Sequence, residues 1–382
     1  MAAGIKASGR PDLALAAACS ETTAAAMFTK NRVVAAPLEV DRTALRATRG
    51  RVQAVLVNSG NANCATGPAG IKACQDVCKH AADLMGLKQQ EVFPSSTGII
   101  GVPLPSEKII AKLPELIAAG DATKDGMTRF AQAILTTDLR MKTASVRFRA
   151  GSSDVTLTGI AKGSGMIHPQ LATMLVYVFT DISAAASDLQ RLLRKTCDET
   201  FNCISVDGDT STNDTVLLMA SGQSGVQLKK VQNKFARALL AVCQSLAGQI
   251  VSDGEGVKHV IRLSIEQAKS REEALRVAKA IAHSLLVKTA WAGADPNWGR
   301  ILAAMGACGV PIRPEQVEIS IGDQIVFRKG TANPFDATRA HQHLSQPVCD
   351  IGIKLRRGRS SILFHTTDLT AEYVRINADY ST

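Results

Sequence analysis

The stretch AKGSGMIHPQLATMLVYVFTD, residues 161–181, decides how the rest of the chain is read. Its first half is punctuated by Gly163, Gly165 and Pro169, and its second half is an apolar run with no polar alternation. A short run of that kind predicts a strand over 173–181 that is covered on both faces, because a strand with one wet face would alternate. Thr173 then opens the strand, with a rigid element behind it and a glycine-rich loop in front. Immediately upstream, SVRFRAGSSDVTLTGIAKG (145–163) alternates about the turn AGSSD and predicts a hairpin. RVQAVLVNSG (51–60) reads as a further strand, followed by a helix near 68–86, a turn around FPSSTGIIG (93–101) and helices near 105–119 and 124–136. Downstream the pattern predicts helices near 187–201, 229–249 and 270–286, with strands at 215–220 and 259–265 between them. VEISIGDQIVFRKG (317–330) is a second hairpin about Gly322-Asp323, and the last strands fall near 350–357 and 361–366. The mixture contains hairpins rather than a strict strand–helix–strand repetition, so α+β layers are expected rather than a doubly wound sheet.

Composition narrows the function classes. A chain of 382 residues with 46% hydrophobic residues buries a large core and is not disordered. Charged residues interrupt every apolar run, so no membrane span is expected, and Pro11 and Asp12 break the apolar block that a secretory signal needs. We read the chain as cytosolic. Nine cysteines, an odd number and widely scattered, argue against a disulfide framework. Cys74 and Cys78 stand four apart in a helical pattern near His80, but a zinc site needs further converging ligands, and no metal is expected. The net charge of +10 favours anions of any size. Nucleic acid is disfavoured by 4% aromatics and by the lack of any recognition motif. The densest basic stretch, KLRRGRSS (354–361), reads as a strand with one solvated face.

Four glycine-punctuated polar segments remain as candidate chemistry: 58–67, 95–101, 161–175 and SDGEG at 252–256. Residue types alone leave Thr173 with two readings. It is either a β-former at a strand's first position or an N-terminal nucleophile. In the second reading its hydroxyl attacks the Ala172 carbonyl and the peptide breaks. The freed α-amine, with an ordinary pKa of about 7.7–8.0, then serves as general base for the same hydroxyl. Likewise Asp295 and Pro296 in ADPNWGR (294–300) read as a helix cap, with a phosphate-facing helix start as the alternative.

The segment KGSGMIHPQLATML resembles the self-cleavage region of the ornithine acetyltransferase family, whose members are also called glutamate N-acetyltransferases. The likeness continues through GIKASGRPDLALAAACSETT, NSGNAN, SSTGIIG, TTDLRMK, SVDGDTSTND, VSDGEG, VKTAWAGADPNWGRILA and EYVRINADYST, in the family's order along the whole chain. It implies a layered αββα core with a smaller second lobe, cut between Ala172 and Thr173 into an α chain (1–172) and a β chain (173–382). Thr173 becomes the nucleophile by this resemblance, and Thr97 with Gly98 the oxyanion hole. Substrate contacts carry over to Thr136, Lys162, Thr173, Glu255, Asn377 and Thr382. The implied reaction moves acetyl from N2-acetyl-L-ornithine to L-glutamate through a threonyl ester, with no cofactor, although some members also accept acetyl-CoA as co-substrate. An (αβ)2 assembly is implied too. Two departures are Gln170-Leu171, where the family commonly has Asn-Met, and Trp291, where a smaller residue is expected. The rival within the same chemistry is an N-terminal-threonine amidohydrolase or aminopeptidase, in which water takes the acyl group.

Overall fold

The computed structural model describes residues 1–19, 21–168 and 174–379; Ala172, Thr173 and Thr382 lie outside the described residues. In chain order the elements are β1 (Leu13–Ala17), β2 (Thr23–Phe28), α1 (Ala36–Ala47), β3 (Ala54–Asn61), α2 (Gly67–Met85), β4 (Val92–Ile99), α3 (Ser106–Ala118) and α4 (Lys124–Ala133). There follow β5 (Lys142–Ala150), β6 (Ser153–Lys162), β7 (Leu175–Thr180), α5 (Ala186–Glu199), β8 (Thr215–Ala220), α6 (Leu228–Ser252) and β9 (Val260–Ala268). The last part holds α7 (Arg271–Ala282), α8 (Leu285–Ala292), α9 (Trp298–Gly306), β10 (Glu318–Ile321), β11 (Gln324–Arg328), β12 (Thr331–Ala332), α10 (Ala337–Leu344), β13 (Val348–Lys354), β14 (Ser360–Thr367) and α11 (Ala371–Asp379).

The unbroken apolar run of β7 is explained by its neighbours. It lies inside a five-stranded sheet, order β2-β8-β7-β6-β5, antiparallel to β6 and parallel to β8. Val176 and Val178 point into one core with Leu193 of α5 and Phe235, Leu239 and Val242 of α6. Leu175 and Tyr177 point the other way, against Val55, Val57 and Phe93 of a three-stranded sheet, order β1-β3-β4. The far side of that second sheet, through Leu13, Leu56 and Val92, packs on Cys74, Val77, Cys78 and Ala81 of α2 and on Ile109 and Leu113 of α3. The result is the four-layered order helix, sheet, sheet, helix. Each apolar side chain removed from water here contributes roughly 1.5–3 kcal/mol, and the layers need both faces of both sheets to be apolar. Cys74 and Cys78 thus serve as small buried hydrophobes.

α6 is, by length and composition, apolar enough to cross a membrane, but half of that stretch is buried, and its apolar face covers β5 and β6. A second lobe is built on the six-stranded sheet β12-β11-β10-β13-β9-β14, covered by α7, α8, α9 and α10. Trp291 fills this lobe's core at 2% exposure, which accounts for a large ring at that position.

Four local expectations are corrected. The segment 93–101 is not a free turn: Val92–Ile99 is a strand paired in parallel with β3, and both faces are covered, so its Pro and Ser residues are carried by the sheet. KLRRGRSS is not one strand. β13 ends at Lys354 and β14 begins at Ser360, and the link runs over the end of β9, where Leu355 and Arg357 donate N–H bonds to Glu266 and Gln267 carbonyls. The helix expected over 270–286 breaks at His283-Ser284, where Ser284 caps a new helix by accepting the Val287 N–H. The cap in ADPNWGR is Asn297, which accepts the Arg300 N–H at 3.2 Å, rather than Asp295.

Candidate active site

The two stacked sheets bring several strand ends together at one edge of the layers. Lys162, the last residue of β6, pairs with Leu175, the first of β7, which pairs in turn with Thr215, the first of β8. The C-terminal ends of β3 and β4 arrive from the other sheet, with Gly60 opposite Gly98. Gly98 has φ +135°, a conformation open to glycine and strained for other residues, and a Cβ there would overlap the carbonyl carbon of Gly60. Thr97, 3% exposed, is held beside it.

Lys162 ties the two sheets together. Its ammonium donates to Thr136 Oγ1 at 2.8 Å and to Thr97 Oγ1 at 3.3 Å, and lies 3.9 Å from Asp138 Oδ2. Burial pushes its pKa below the usual lysine value, while Asp138 pulls it back toward the charged form. Asp138 is the hub behind it: Oδ2 accepts the Thr136 N–H at 3.1 Å, and Oδ1 accepts the Gly163 N–H at 2.6 Å and Lys142 Nζ at 2.7 Å. Burial opposes ionisation of this carboxyl, but Lys162, Lys142 and these donors outweigh it and hold its pKa at about 2. Lys142, 1% exposed, bridges on to Asp253 Oδ2 at 2.6 Å, which also accepts the Leu139 and Arg140 N–H groups. Sequence reasoning missed Asp138, Lys142 and Asp253. Their signal was two acids and a lysine inside TTDLRMK and VSDGEG, both already singled out.

Glu255 is brought in by the next turn of the SDGEG loop. Its N–H donates to Ser164 O at 3.2 Å, and Ser164 Oγ donates to Asp253 O at 2.7 Å, so the 163–165 and 252–256 loops are stitched together. The Glu255 carboxylate lies over Gly165, where a Cβ would displace it. Gly256, φ +65°, lets the backbone at Tyr373 approach, which docks α11 on the same loop. From α11, Asn377 Nδ2 donates to Glu255 Oε2 at 2.9 Å.

The two described flanks of residues 169–173 are fixed on one segment, 205–215. Asp207 accepts the N–H groups of Met166 at 2.6 Å and Ile167 at 2.9 Å, and the Ile167 carbonyl accepts from Val206. Met174 donates its N–H to Asp214 Oδ1 at 2.9 Å, and its carbonyl accepts from Thr215. Burial raises the Asp207 carboxyl to about 6 and Asp214 well above the carboxylate range. The sequence-expected residues Thr97, Gly98, Thr136 and Lys162 are therefore gathered at these strand ends, and the Glu255–Asn377 pair joins them through the adjoining 163–165 loop. A cation, a hydroxyl pair, a strand-end glycine and a carboxylate in that arrangement suit a small zwitterionic ligand whose carbonyl is to be attacked.

The ArgJ family profile matches residues 1–382. The arginine biosynthesis bifunctional protein ArgJ of Thermus thermophilus is 44% identical over 385 residues, covering 100% of this chain and 96% of that protein. The protein of the same name from Methylococcus capsulatus is 43% identical over 387 residues, covering 100% and 94%. The crystal structure of the arginine biosynthesis bifunctional protein ArgJ from Bacillus halodurans aligns with a TM-score of 0.52 at 40% identity, covering 53% of this chain and 98% of that one. The chain belongs to the ArgJ family.

Proposed function

We propose that this protein is a self-cleaving acetyltransferase of arginine biosynthesis that moves acetyl from N2-acetyl-L-ornithine to L-glutamate. The observation that carries the reading is the convergence of Lys162, Thr136, Thr97-Gly98 and the Glu255–Asn377 pair at the start of β7. Cleavage between Ala172 and Thr173 frees the Thr173 amine. That amine takes the proton of its own hydroxyl as Oγ attacks the acetyl carbonyl. Thr97 and the Gly98 N–H receive the developing oxyanion; donors of this kind are worth roughly 10²–10³ in rate. Collapse breaks the C–N bond, the amine returns the proton to departing ornithine, and the acetyl group stays as a threonyl ester. Glutamate's neutral amine then attacks the ester, its proton passes through the Thr173 amine to Oγ, and N-acetylglutamate leaves. Lys162 pairs with the α-carboxylate of either amino acid, Glu255 with the ornithine ammonium, and Asn377 and Thr382 add directional hydrogen bonds.

Cleavage into 1–172 and 173–382 is supported by proportion. Residues 173–382 are 210 of 382, and the Bacillus halodurans chain, matched over 98% of its length, spans 53% of this one. The proposal includes an (αβ)2 assembly in the cytoplasm, no bound cofactor, and acetyl-CoA as a second acetyl donor to glutamate, in keeping with the word bifunctional in the relatives' names. The test is intact mass and N-terminal sequencing beside a Thr173→Ala control, followed by product analysis. Two polypeptides, the larger beginning Thr-Met-Leu, and N-acetylglutamate formed only when glutamate is present are expected. An uncut wild-type chain, or free acetate as the sole acetyl product, defeats the reading and in the second case returns the amidohydrolase.

A further inference from the structure

A ping-pong exchange between ornithine and glutamate sets the site a charge problem, because the two amino acids end in opposite charges. Glu255 suits the ammonium of the one and repels the carboxylate of the other. Resting on the acetyltransferase reading, we infer that Lys6 and Arg10 of the N-terminal segment form a cationic subsite for the side-chain carboxylate of the dicarboxylic acceptor.

The segment 1–12 is folded into a fixed loop rather than left as a tail. The Asp12 carboxylate, fully buried, accepts the N–H groups of Ala3, Ile5 and Lys6, and the terminal ammonium donates to Leu13 O at 2.9 Å. This loop delivers its two cations to the residues that hold Thr136. Lys6 Nζ donates to Leu135 O at 2.6 Å and to Pro11 O at 2.8 Å, and Arg10 donates to Thr136 O at 3.2 Å. Lys162 approaches Thr136 from its hydroxyl at 2.8 Å. The stem of Lys6 lies against Gly60, where an added Cβ would stand 2.9 Å from its Cγ, and Gly60 itself lies against Gly98. Lys6 is thus one glycine removed from the end of β4 that carries Thr97 and Gly98.

Three cations gathered on one loop repel one another. Among the described residues neither Lys6 nor Arg10 has an ion-pair partner; the Asp12 carboxylate is taken up by the N–H groups of Ala3, Ile5 and Lys6, and Asp138 is already shared between Lys162 and Lys142. The strain is visible in Lys6, which is lowered to about 8 by burial and then by Arg10, with Asp12 opposing. A ligand that brings a second carboxylate relieves this repulsion, and one that brings an ammonium does not. Lys6 also has a structural use, since two of its three protons tie 11 and 135 together; the third is left for a ligand. The subsite therefore works as a selectivity element for the acceptor, opposite in sign to Glu255.

The experiment is acceptor competition at the acetyl-enzyme of the full-length, processed protein. N2-acetylornithine is the donor, and glutamate, labelled ornithine and glutamine are acceptors, with wild type, Lys6→Met, Lys6→Arg, Arg10→Met and the double methionine variant. The ratio of kcat/KM for glutamate to that for ornithine is expected to fall about tenfold in each methionine variant and further in the double one. Ornithine exchange should be held or raised, glutamine should gain on glutamate, and Lys6→Arg should stay near wild type. Arg10 is exposed, so Arg10→Met gives an answer even where Lys6→Met folds poorly. Equal losses for glutamate and ornithine mean a structural role only and overturn the proposal. A rise confined to the KM of acetyl-CoA assigns the cations to phosphates and also overturns it. Wild type that transfers acetyl to no amine defeats the acetyltransferase reading itself, an outcome separate from either.

Discussion

Gly98 at the end of β4 lies so close to Gly60 at the end of β3 that neither can carry a side chain without moving the other strand or Lys6. The parallel pairing of β3 with β4 thereby sets the backbone that presents the Gly98 N–H.

Gly98→Ala is accordingly expected to reduce kcat by roughly 10²–10³, the usual loss for one oxyanion donor, because a methyl at φ +135° reorients that N–H. Steady-state kinetics should show the loss mainly in kcat. A variant that keeps wild-type kcat removes Gly98 from the catalytic geometry.

Gly165→Ala probes the opposite kind of crowding. The atoms in the way are the end of the flexible Glu255 side chain, so the fold should lose little, within about 1 kcal/mol as for a small local adjustment. The cost should fall on ornithine, whose ammonium loses its partner: a KM for N2-acetylornithine raised about tenfold, the scale of one charge-assisted hydrogen bond, with Tm nearly unchanged. A large drop in Tm with unchanged KM would falsify this placement of Glu255.

Asp138→Asn should act through Lys162. Asp138 raises the Lys162 pKa against a burial effect that lowers it, so losing the negative charge lowers it further. In the proposed reaction Lys162 must be cationic to hold the α-carboxylate, and the alkaline limb of kcat/KM should therefore move to lower pH. A pH profile that keeps its alkaline limb while activity falls uniformly would assign Asp138 to folding alone.

The same carboxyl makes an acid-stability prediction. Its folded pKa, about 2, is below the ordinary 3.8, so it binds its proton less readily folded than unfolded. Its stabilisation is full above about pH 4 and is lost as pH falls toward 2. The gap in unfolding free energy between wild type and Asp138→Asn should accordingly shrink across that window in denaturant titrations.

Lys142→Met leaves Asp138 and Asp253 buried without their shared cation. Removing one partner from a buried pair typically costs about 3–5 kcal/mol, and the thermal midpoint should fall by several degrees. An unchanged midpoint would show that the triad contributes nothing to stability.

Periodicity and composition made β7, the 145–163 hairpin and α2 legible, because each buries a face that its own residues announce. β1 and β2 carry no strand signal of their own: LALAA and TAAAMF are alanine-rich, and alanine favours helix until tertiary contacts overrule it. The sequence of β4 reads as a turn because Pro94, Ser95 and Ser96 lack strand propensity, and pairing with β3 makes it a strand. The same limit applies to the site. Lys162 and Glu255 were reachable through the resemblance, whereas the bond from Lys142 to Asp253 joins residues 111 apart and no local pattern announces it. Lys6 was inside a quoted motif, but its approach to Leu135 spans 129 residues.

The order β2-β8-β7-β6-β5 has a consequence for the proposed cut between 172 and 173. The first segment supplies an edge strand on one side and a hairpin on the other, and the second segment supplies the two strands between them. The pieces are interleaved like the fingers of two hands. Dilution alone should not part them, since separation means unzipping two complete ladders at once, and the severed molecule should melt in this region as a single unit.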